Sequence, residues 1–288
     1  MYSIRRIIWD GELIPYYTGF KRRLATIREW DVPDDVIFVT SYPKAGTHWM
    51  MKTINILLDA QRKCDGDVDT RVLDSQDFLT SWPFLEEMEG NKLASPIRPS
   101  MVVCTHLPRR LLPVKIWENN KIIHLIRSPK DTAVSLYHFQ KARGVGVGTF
   151  EQFLQRFTNG EGAYGSWFDK ELDWWTHERQ NPNVLFMSYE ERIKAPEESV
   201  RKVIRFLDLE NLPMDDNFLQ NVVKRTSFES MKNEDGRTLT KGLAMQTGTF
   251  CRKGQVGDWK NYFTVKQNED FDKKFFEKMK ETDLAVMF

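Results

Sequence analysis

The stretch VIFVTSYPKAGTHWMMKTI, residues 36–54, constrains this chain more than any other. Val36-Ile37-Phe38-Val39-Thr40 is an apolar, β-branched run that reads as a buried strand. Met50, Ile54, Leu57 and Leu58 then recur at i, i+4, i+7 and i+8, which places them on one face of a helix. Between the two lies Ser41-Tyr42-Pro43-Lys44-Ala45-Gly46. A strand, a tight loop and a helix in that order aim unpaired backbone N–H groups and the positive end of the helix dipole at the loop. That is a place for an anion, usually a phosphate. Gly46 lets the backbone approach closely, Lys44 brings a mobile cation, and Thr47 puts a hydroxyl at the helix start.

The loop is not the nucleoside-triphosphatase motif G-x-x-x-x-G-K-[ST]. Lys44 precedes the only glycine, no first glycine exists, and Trp49 follows two residues after Thr47. A nucleotide or small-molecule kinase also needs a strand–loop–helix phosphate site and is the second reading of this stretch. The Lys-before-Gly order, without a Mg²⁺-holding Ser/Thr after Gly-Lys, weighs against it.

Three further apolar runs read as strands. Met101-Val102-Val103-Cys104-Thr105 ends at His106, Lys121–Ile126 ends at Arg127, and Val184-Leu185-Phe186-Met187 ends at Ser188-Tyr189-Glu190. Ser128-Pro129-Lys130-Asp131 opens a helix, with proline where the first turn tolerates it. Helical patterns follow near 150–158, 167–179, 195–207 and 268–281, while 62–100 and 228–260 read as irregular. Gly11–Pro15 looks like a hairpin edge. Strands alternating with helices predict an α/β fold with a central parallel sheet flanked by helices. Ligands gather outside the carboxyl ends of such strands. Lys44, His106, Arg127 and Tyr189 all fall just past a predicted strand end.

No repeat, low-complexity tract or linker interrupts the 288 residues, so a single domain over 1–288 is expected. With 42 basic against 41 acidic residues, a long nucleic-acid footprint is not expected. Cys64, Cys104 and Cys251 are odd in number and widely spaced, which fits neither a metal site nor a disulfide framework and suits a reducing cytoplasm. MYSIRRIIWDGELIP lacks an apolar signal core, and no apolar run reaches the ~18 residues of a membrane span.

Two more constellations accompany the loop. Arg127 ends a strand and Ser135 lies about two helical turns on, so a planar cation fork and a hydroxyl can flank one anion. Phe250-Cys251-Arg252-Lys253-Gly254 sets adjacent cations before a permissive glycine, a basic nest, and runs on into Gln255-Val256-Gly257-Asp258-Trp259.

Taken together, Tyr-Pro-Lys-x-Gly-Thr-x-Trp, Arg-x-x-Lys-Asp-x-x-x-Ser and Arg-Lys-Gly-x-x-Gly-Asp-Trp-Lys resemble the cytosolic sulfotransferases over nearly the whole chain. The resemblance implies 3′-phosphoadenosine 5′-phosphosulfate as donor, adenosine 3′,5′-bisphosphate as product, no metal, and transfer of a sulfuryl group to a hydroxyl or amine. It implies that residues 44–49 (Lys44, Ala45, Gly46, Thr47, His48, Trp49) meet the 5′-phosphosulfate and the base. Arg127, Ser135, Phe250, Cys251, Arg252, Lys253 and Gly254 would hold the 3′-phosphate side. Thr226-Ser227-Phe228, Met231 and Tyr189 would line the adenine, with Trp49 stacked on it. Lys260, Thr264, Val265 and Glu269 match the family's dimer motif K-x-x-x-T-V-x-x-x-E.

His106, in Thr-His-Leu-Pro, matches the family's catalytic histidine, and imidazole is well poised to take a proton from an alcohol or amine. The implied reaction is an in-line displacement at sulfur with His106 as base and Lys44 and Ser135 as catalytic partners. Phe84, Phe139 and Tyr164, with Trp82 and Tyr17 or Phe20, are the candidates for an apolar acceptor pocket suited to a phenol, steroid or arylamine. Trp82–Glu86 reads equally as a surface helix cap. Two positions depart from the pattern: Cys104 stands where the family carries lysine, and Ala45 and His48 replace hydroxyl residues of the loop. A weakly active or inactive nucleotide-binding relative is therefore the third reading.

Overall fold

The computed structural model describes residues 6–10, 12–15, 20–66, 83–88, 96–162, 164–209, 211–235, 245–248 and 250–288. Of the pocket candidates, Tyr17, Trp82 and the side chain of Phe20 lie outside them. Four strands, β3 (Ile37–Ser41), β4 (Val102–Thr105), β5 (Ile122–Ile126) and β6 (Val184–Ser188), form an all-parallel sheet in the order β4-β3-β5-β6. Thr40 pairs with both Thr105 and His124, so the three strand ends lie level. A separate antiparallel pair, β1 (Arg6–Trp9) and β2 (Glu12–Pro15), is the hairpin expected around Gly11–Pro15, although Gly11 itself lies outside the described residues.

Continuous apolar strands are what a sheet buried on both faces requires. Phe38, Val103, Ile122 and Ile126 face one cluster, and Val39, Val102, Cys104, Ile123 and Leu125 face the other, by the period-2 alternation of strand side chains. The helix α1 (Phe20–Ile27), for which no expectation was set, buries Leu24 and Ile27 against the first. On the second lies α2 (Thr47–Cys64), whose Met50, Ile54 and Leu57 are fully buried. On the first face pack α3 (Pro129–Ala142), α4 (Phe150–Thr158) and α5 (Trp167–Glu178).

A short helix not expected, α6 (Tyr189–Lys194), precedes α7 (Pro196–Phe206), which is the helix expected near 195–207. Ser188 caps the first through the Glu191 N–H at 3.0 Å, and Pro196 sits at the start of the second, where its missing N–H is tolerated. A further helix, α8 (Asp216–Arg225), was not anticipated, although Asp215 caps it and Leu219 and Val222 share its buried face. The segment expected to be irregular contains short helical turns at Phe228–Ser230, Met231–Asp235 and Asp258–Asn261. The last long helix, α9, spans Val265–Met279. Among the described residues no helix is long and apolar enough to cross a membrane.

Chain order and sheet order diverge at β3: the chain goes to β4 on one side, then returns to β5 on the other. Such a switch opens a crevice at the carboxyl ends of the strands. His106 and Arg127 follow those ends directly, and Lys44 comes three residues after the end of β3.

Candidate active site

The loop between β3 and α2 is backbone-strained where it matters. Lys44 has φ 76 and Gly46, the N-cap of α2, has φ 103. A lysine in the left-handed region is held there by its surroundings, and Arg127 Nη1 donates to the Lys44 carbonyl at 3.1 Å. No side chain caps the first turn of α2, so its N–H groups remain for another partner. A Cβ on Gly46 would stand 3.2 Å from Tyr189 Cδ2, so the loop lies against that ring. The Thr47 hydroxyl is engaged with Ser41 Oγ at 2.7 Å.

The Lys44 ammonium sits between two aromatic rings, 4.3 Å from the centroid of Phe139 and 4.1 Å from that of Phe250. Burial is the main cause of a pKa lowered to about 7, with repulsion from Arg127 and Arg252 adding to it against an opposing pull from Cys251. An anion in the loop favours the charged form and raises that value again.

Arg127 is the joint of the site. Beyond its bond to the Lys44 carbonyl, Nη2 donates to the Gln255 carbonyl at 3.3 Å, and the guanidinium lies 4.1 Å over Tyr189. Its Nε is buried without a partner among the described residues. Four residues on, Asp131 accepts from the backbone N–H groups of Gly257 (2.6 Å) and Trp259 (3.0 Å), which fastens the basic loop to α3. Ser135 is half-buried on the same helix.

On the basic loop, Arg252 and Lys253 donate to opposite oxygens of Asp258, at 2.5 and 2.7 Å. Burial opposes ionisation of that carboxyl, but hydrogen bonds from Lys253, Arg252 and Asn261 hold it down at about 2. Gly254 has φ +66, and a Cβ there would be 2.2 Å from Phe228 Cδ2. The predicted nest and the predicted adenine segment are therefore in contact. Gly254→Ala must separate them, and it is expected to weaken binding of adenosine 3′,5′-bisphosphate by about tenfold or more, read by calorimetric titration.

Trp49, Arg192, Val200, Thr226, Ser227 and Phe228 line one cleft. Arg192 lies 4.2 Å over the Trp49 indole and donates to the Thr226 carbonyl at 2.7 Å. The side-chain hydroxyls here serve the fold: Thr226 donates to Val222 O at 2.9 Å, and Ser227 caps the Ser230 N–H at 3.1 Å. Met231 is buried, and its carbonyl accepts from the Cys251 thiol at 3.8 Å.

His106 stands across the crevice. Its Nδ1 lies 3.0 Å from the Ser41 carbonyl and 3.2 Å from Ser41 Oγ. Phe84 (5.2 Å) and Tyr164 (5.4 Å) flank the ring, and Phe84 is also the N-cap of a short 3-10 turn, Leu85–Glu87, as the helix-cap reading of this stretch expected. Phe84 pairs with Cys104 as an isolated parallel bridge at the β4 edge of the sheet. The His48 ring lies tilted against Phe250 at 4.5 Å and against Phe84 at 6.1 Å. Burial first, then the charges of Lys170 and Lys44 against a bond to Ser41, lowers the His106 pKa to about 3. The Cys104 thiol, pushed well up by burial and then by Glu86 and Glu87, is neutral and donates to Pro83 O at 3.7 Å.

Sequence reasoning singled out no role for Glu86, Asp131, Lys170, Arg192 or Asp258. Glu86 is buried and accepts from Thr105 Oγ1 (2.8 Å), the His106 N–H (3.0 Å) and Tyr164 OH (3.2 Å). A signal existed for Lys170, because Trp167, Lys170, Glu171 and Trp174 share one helix face at i, i+3, i+4 and i+7. Charges among tryptophans on that face had to be buried.

These residues fit a nucleotide bearing two anionic groups. A buried, partnerless guanidinium nitrogen, uncapped N–H groups on α2, and a glycine whose Cβ position is occupied by a neighbouring ring are what such a ligand uses. Residues 33–283 match the sulfotransferase domain family. Mouse sulfotransferase 1B1 is 36 % identical over 296 aligned positions, covering 96 % of this chain and 95 % of its own. Dog sulfotransferase 1B1 is 40 % identical, with 88 % and 86 % covered. Among solved structures, mouse sulfotransferase SULT7A1 complexed with PAP superposes with a TM-score of 0.75 at 32 % identity, over 98 % of this chain and 97 % of that one. The kinase reading finds no support in these matches.

Proposed function

The chain belongs to the sulfotransferase family, and from that premise we propose that it transfers the sulfuryl group of 3′-phosphoadenosine 5′-phosphosulfate to a hydroxyl or amine of a small hydrophobic acceptor. The observation that carries this reading is the crevice at the β3–β4–β5 ends, where Lys44, Arg127 and Tyr189 meet on one side and His106 faces them beside aromatic walls. The donor, when bound, supplies an activated sulfuryl group and a stable bisphosphate leaving group. Arg127, Ser135, Arg252 and Gly254 hold its 3′-phosphate, and Trp49, Tyr189, Thr226, Ser227, Phe228 and Met231 hold its base. Lys44 and the first-turn N–H groups of α2 offset the negative charge that builds on the leaving oxygen. His106 takes the acceptor's proton as its oxygen or nitrogen attacks.

Cys104 brings no charge to this step, which puts the electrostatic work on Lys44. Phe84, Phe139 and Tyr164 suit a flat aromatic or alicyclic acceptor. We assign all 288 residues to one domain acting in the cytoplasm. We further assign the dimer contact to Lys260, Thr264, Val265 and Glu269. In support, Thr264 caps α9 and Val265 beside it is 77 % exposed, an apolar side chain a partner would cover.

Thermal unfolding with adenosine 3′,5′-bisphosphate, beside ATP–Mg²⁺, tests the reading. At about 100 times its Kd a ligand adds roughly 2.7 kcal/mol, several degrees for a domain of this size. The bisphosphate is expected to give that rise and ATP–Mg²⁺ not. Because the free Lys44 must be protonated to meet an anion, affinity should weaken as pH rises through about 7. Lys44→Met should flatten that dependence. A rise with ATP–Mg²⁺ alone would overturn the assignment.

A further inference from the structure

Lys170 is 6 % exposed on α5, and its ammonium donates to the Ser41 carbonyl at 2.9 Å and the His106 carbonyl at 2.6 Å. It thereby ties the last residue of β3 to the residue that follows β4. Withdrawing an ammonium from water is expensive, and an aliphatic side chain would fill the same space against Tyr42 and Tyr164, whose ring centroids lie 5.8 and 5.9 Å from Nζ. The charge is placed where one carbonyl, Ser41 O, accepts from both the ammonium and the imidazole of His106. A carbonyl only accepts. The Ser41 hydroxyl, at 3.2 Å, can donate or accept, so the shorter contact to the carbonyl favours the proton on Nδ1, which leaves the lone pair on Nε2, across the ring.

We propose that Lys170 is a positioning residue for the transfer step: by bridging Ser41 O and His106 O it fixes the imidazole against the β3 end, in the tautomer whose Nε2 is free to accept the acceptor's proton. The inference rests on His106 acting as the base. Its second consequence is electrostatic. Burial is the larger cause of the lowered His106 pKa, and a fixed positive charge beside the ring adds to it by opposing formation of imidazolium.

The other titratable groups around the ring are Lys44 and His48 from the β3–α2 corner, Tyr164 from the loop before α5, and Glu86 from the turn after Phe84. Lys44 and His48 add no negative charge. Glu86 contacts the backbone N–H of His106 rather than its ring, and burial raises its own pKa. Lys170 is the cation that touches the His106 peptide directly.

The test is the pH dependence of kcat in the full chain with a phenol acceptor, for wild type and for Lys170→Met, Lys170→Gln and Lys170→Arg. Each is checked for an intact bisphosphate-induced rise in Tm. Lys170→Met is expected to lower kcat tenfold or more, leave the donor KM within about threefold, and move the acid limb upward toward the ordinary imidazole value of about 6.5. Lys170→Arg, which keeps charge and donors, should leave the limb where wild type has it, and Lys170→Gln should raise it. Equal limbs for the Arg and Gln variants, or an unmoved limb in Lys170→Met, overturn the proposal. An imidazole NMR titration of wild type needs no variant: the Nδ1–H tautomer is expected, and an Nε2–H tautomer overturns the assignment. If His106→Ala keeps wild-type kcat, it is the base reading that fails, independently of Lys170.

Discussion

Replacing His106 by alanine is expected to lower kcat by roughly 10²–10⁴-fold, the usual contribution of a general base, while the bisphosphate-induced rise in Tm survives. The two readouts separate because His106 touches none of the groups assigned to the donor's phosphates. Its contacts are Ser41 through Nδ1, Phe84 and Tyr164 through the ring faces, and Glu86 and Lys170 through the backbone. Alanine keeps both backbone contacts, so the strand ends should remain joined. A near-wild-type kcat with donor binding intact would remove His106 from the chemistry. Loss of both activity and the thermal shift would mean that the ring holds the crevice open rather than moving a proton.

Replacing Glu171 by alanine is expected to destabilise the fold by about 3 kcal/mol, from a stranded polar group and a cavity together. For a domain of this size that lowers Tm by roughly 10 °C. Glu171 Oε2 lies 2.7 Å from Nε2 of His124, whose Nδ1 lies 2.7 Å from the Thr40 hydroxyl, and all three residues are fully buried. Burial lowers the His124 pKa in spite of Glu171, so the folded ring is neutral. Nε2–H then donates to the carboxylate while Nδ1 accepts from Thr40, and the contact is a hydrogen bond rather than an ion pair. Trp174, stacked on the ring at 4.3 Å, closes the site to water. Glutamine can accept the same proton, so Glu171→Gln should stay within about 1 kcal/mol of wild type. Equal losses for Ala and Gln would show that His124 is charged.

The two variants differ in how far the sequence foretold them. The four strands of the sheet, the phosphate loop and the basic loop were legible because each is a local pattern: an unbroken β-branched run, a glycine where the backbone must turn, adjacent cations before a second glycine. The apolar strand around His124 marked it as core, but its partner lies 47 positions away on a helix and no local pattern links them. The same is true of Lys170, 64 positions from His106, and of Asp131, 126 from Gly257. The helices α1 and α8 were missed although α8 carries an Asp215 cap and a Leu219–Val222 stripe, because short polar-rich helices draw their stability from packing more than from propensity.

The sequence alone determined that this chain makes a parallel sheet with an anion site at its first strand–helix corner. Strand, loop and helix obey nearest-neighbour sterics and the periodicity of apolar side chains, which any reader of the residues can apply. Only the tertiary structure decided the strand order β4-β3-β5-β6, which sets His106 and Arg127 on either side of the Lys44 loop, and the Asp131 tether that brings the basic loop to α3. It also decided that Lys170 and Glu171, adjacent on one helix, would be buried against two different histidines. Burial removes water as the alternative partner, so each charge answers to whatever group the fold brings within about 3 Å, and that distance is set by chain crossings the sequence does not display.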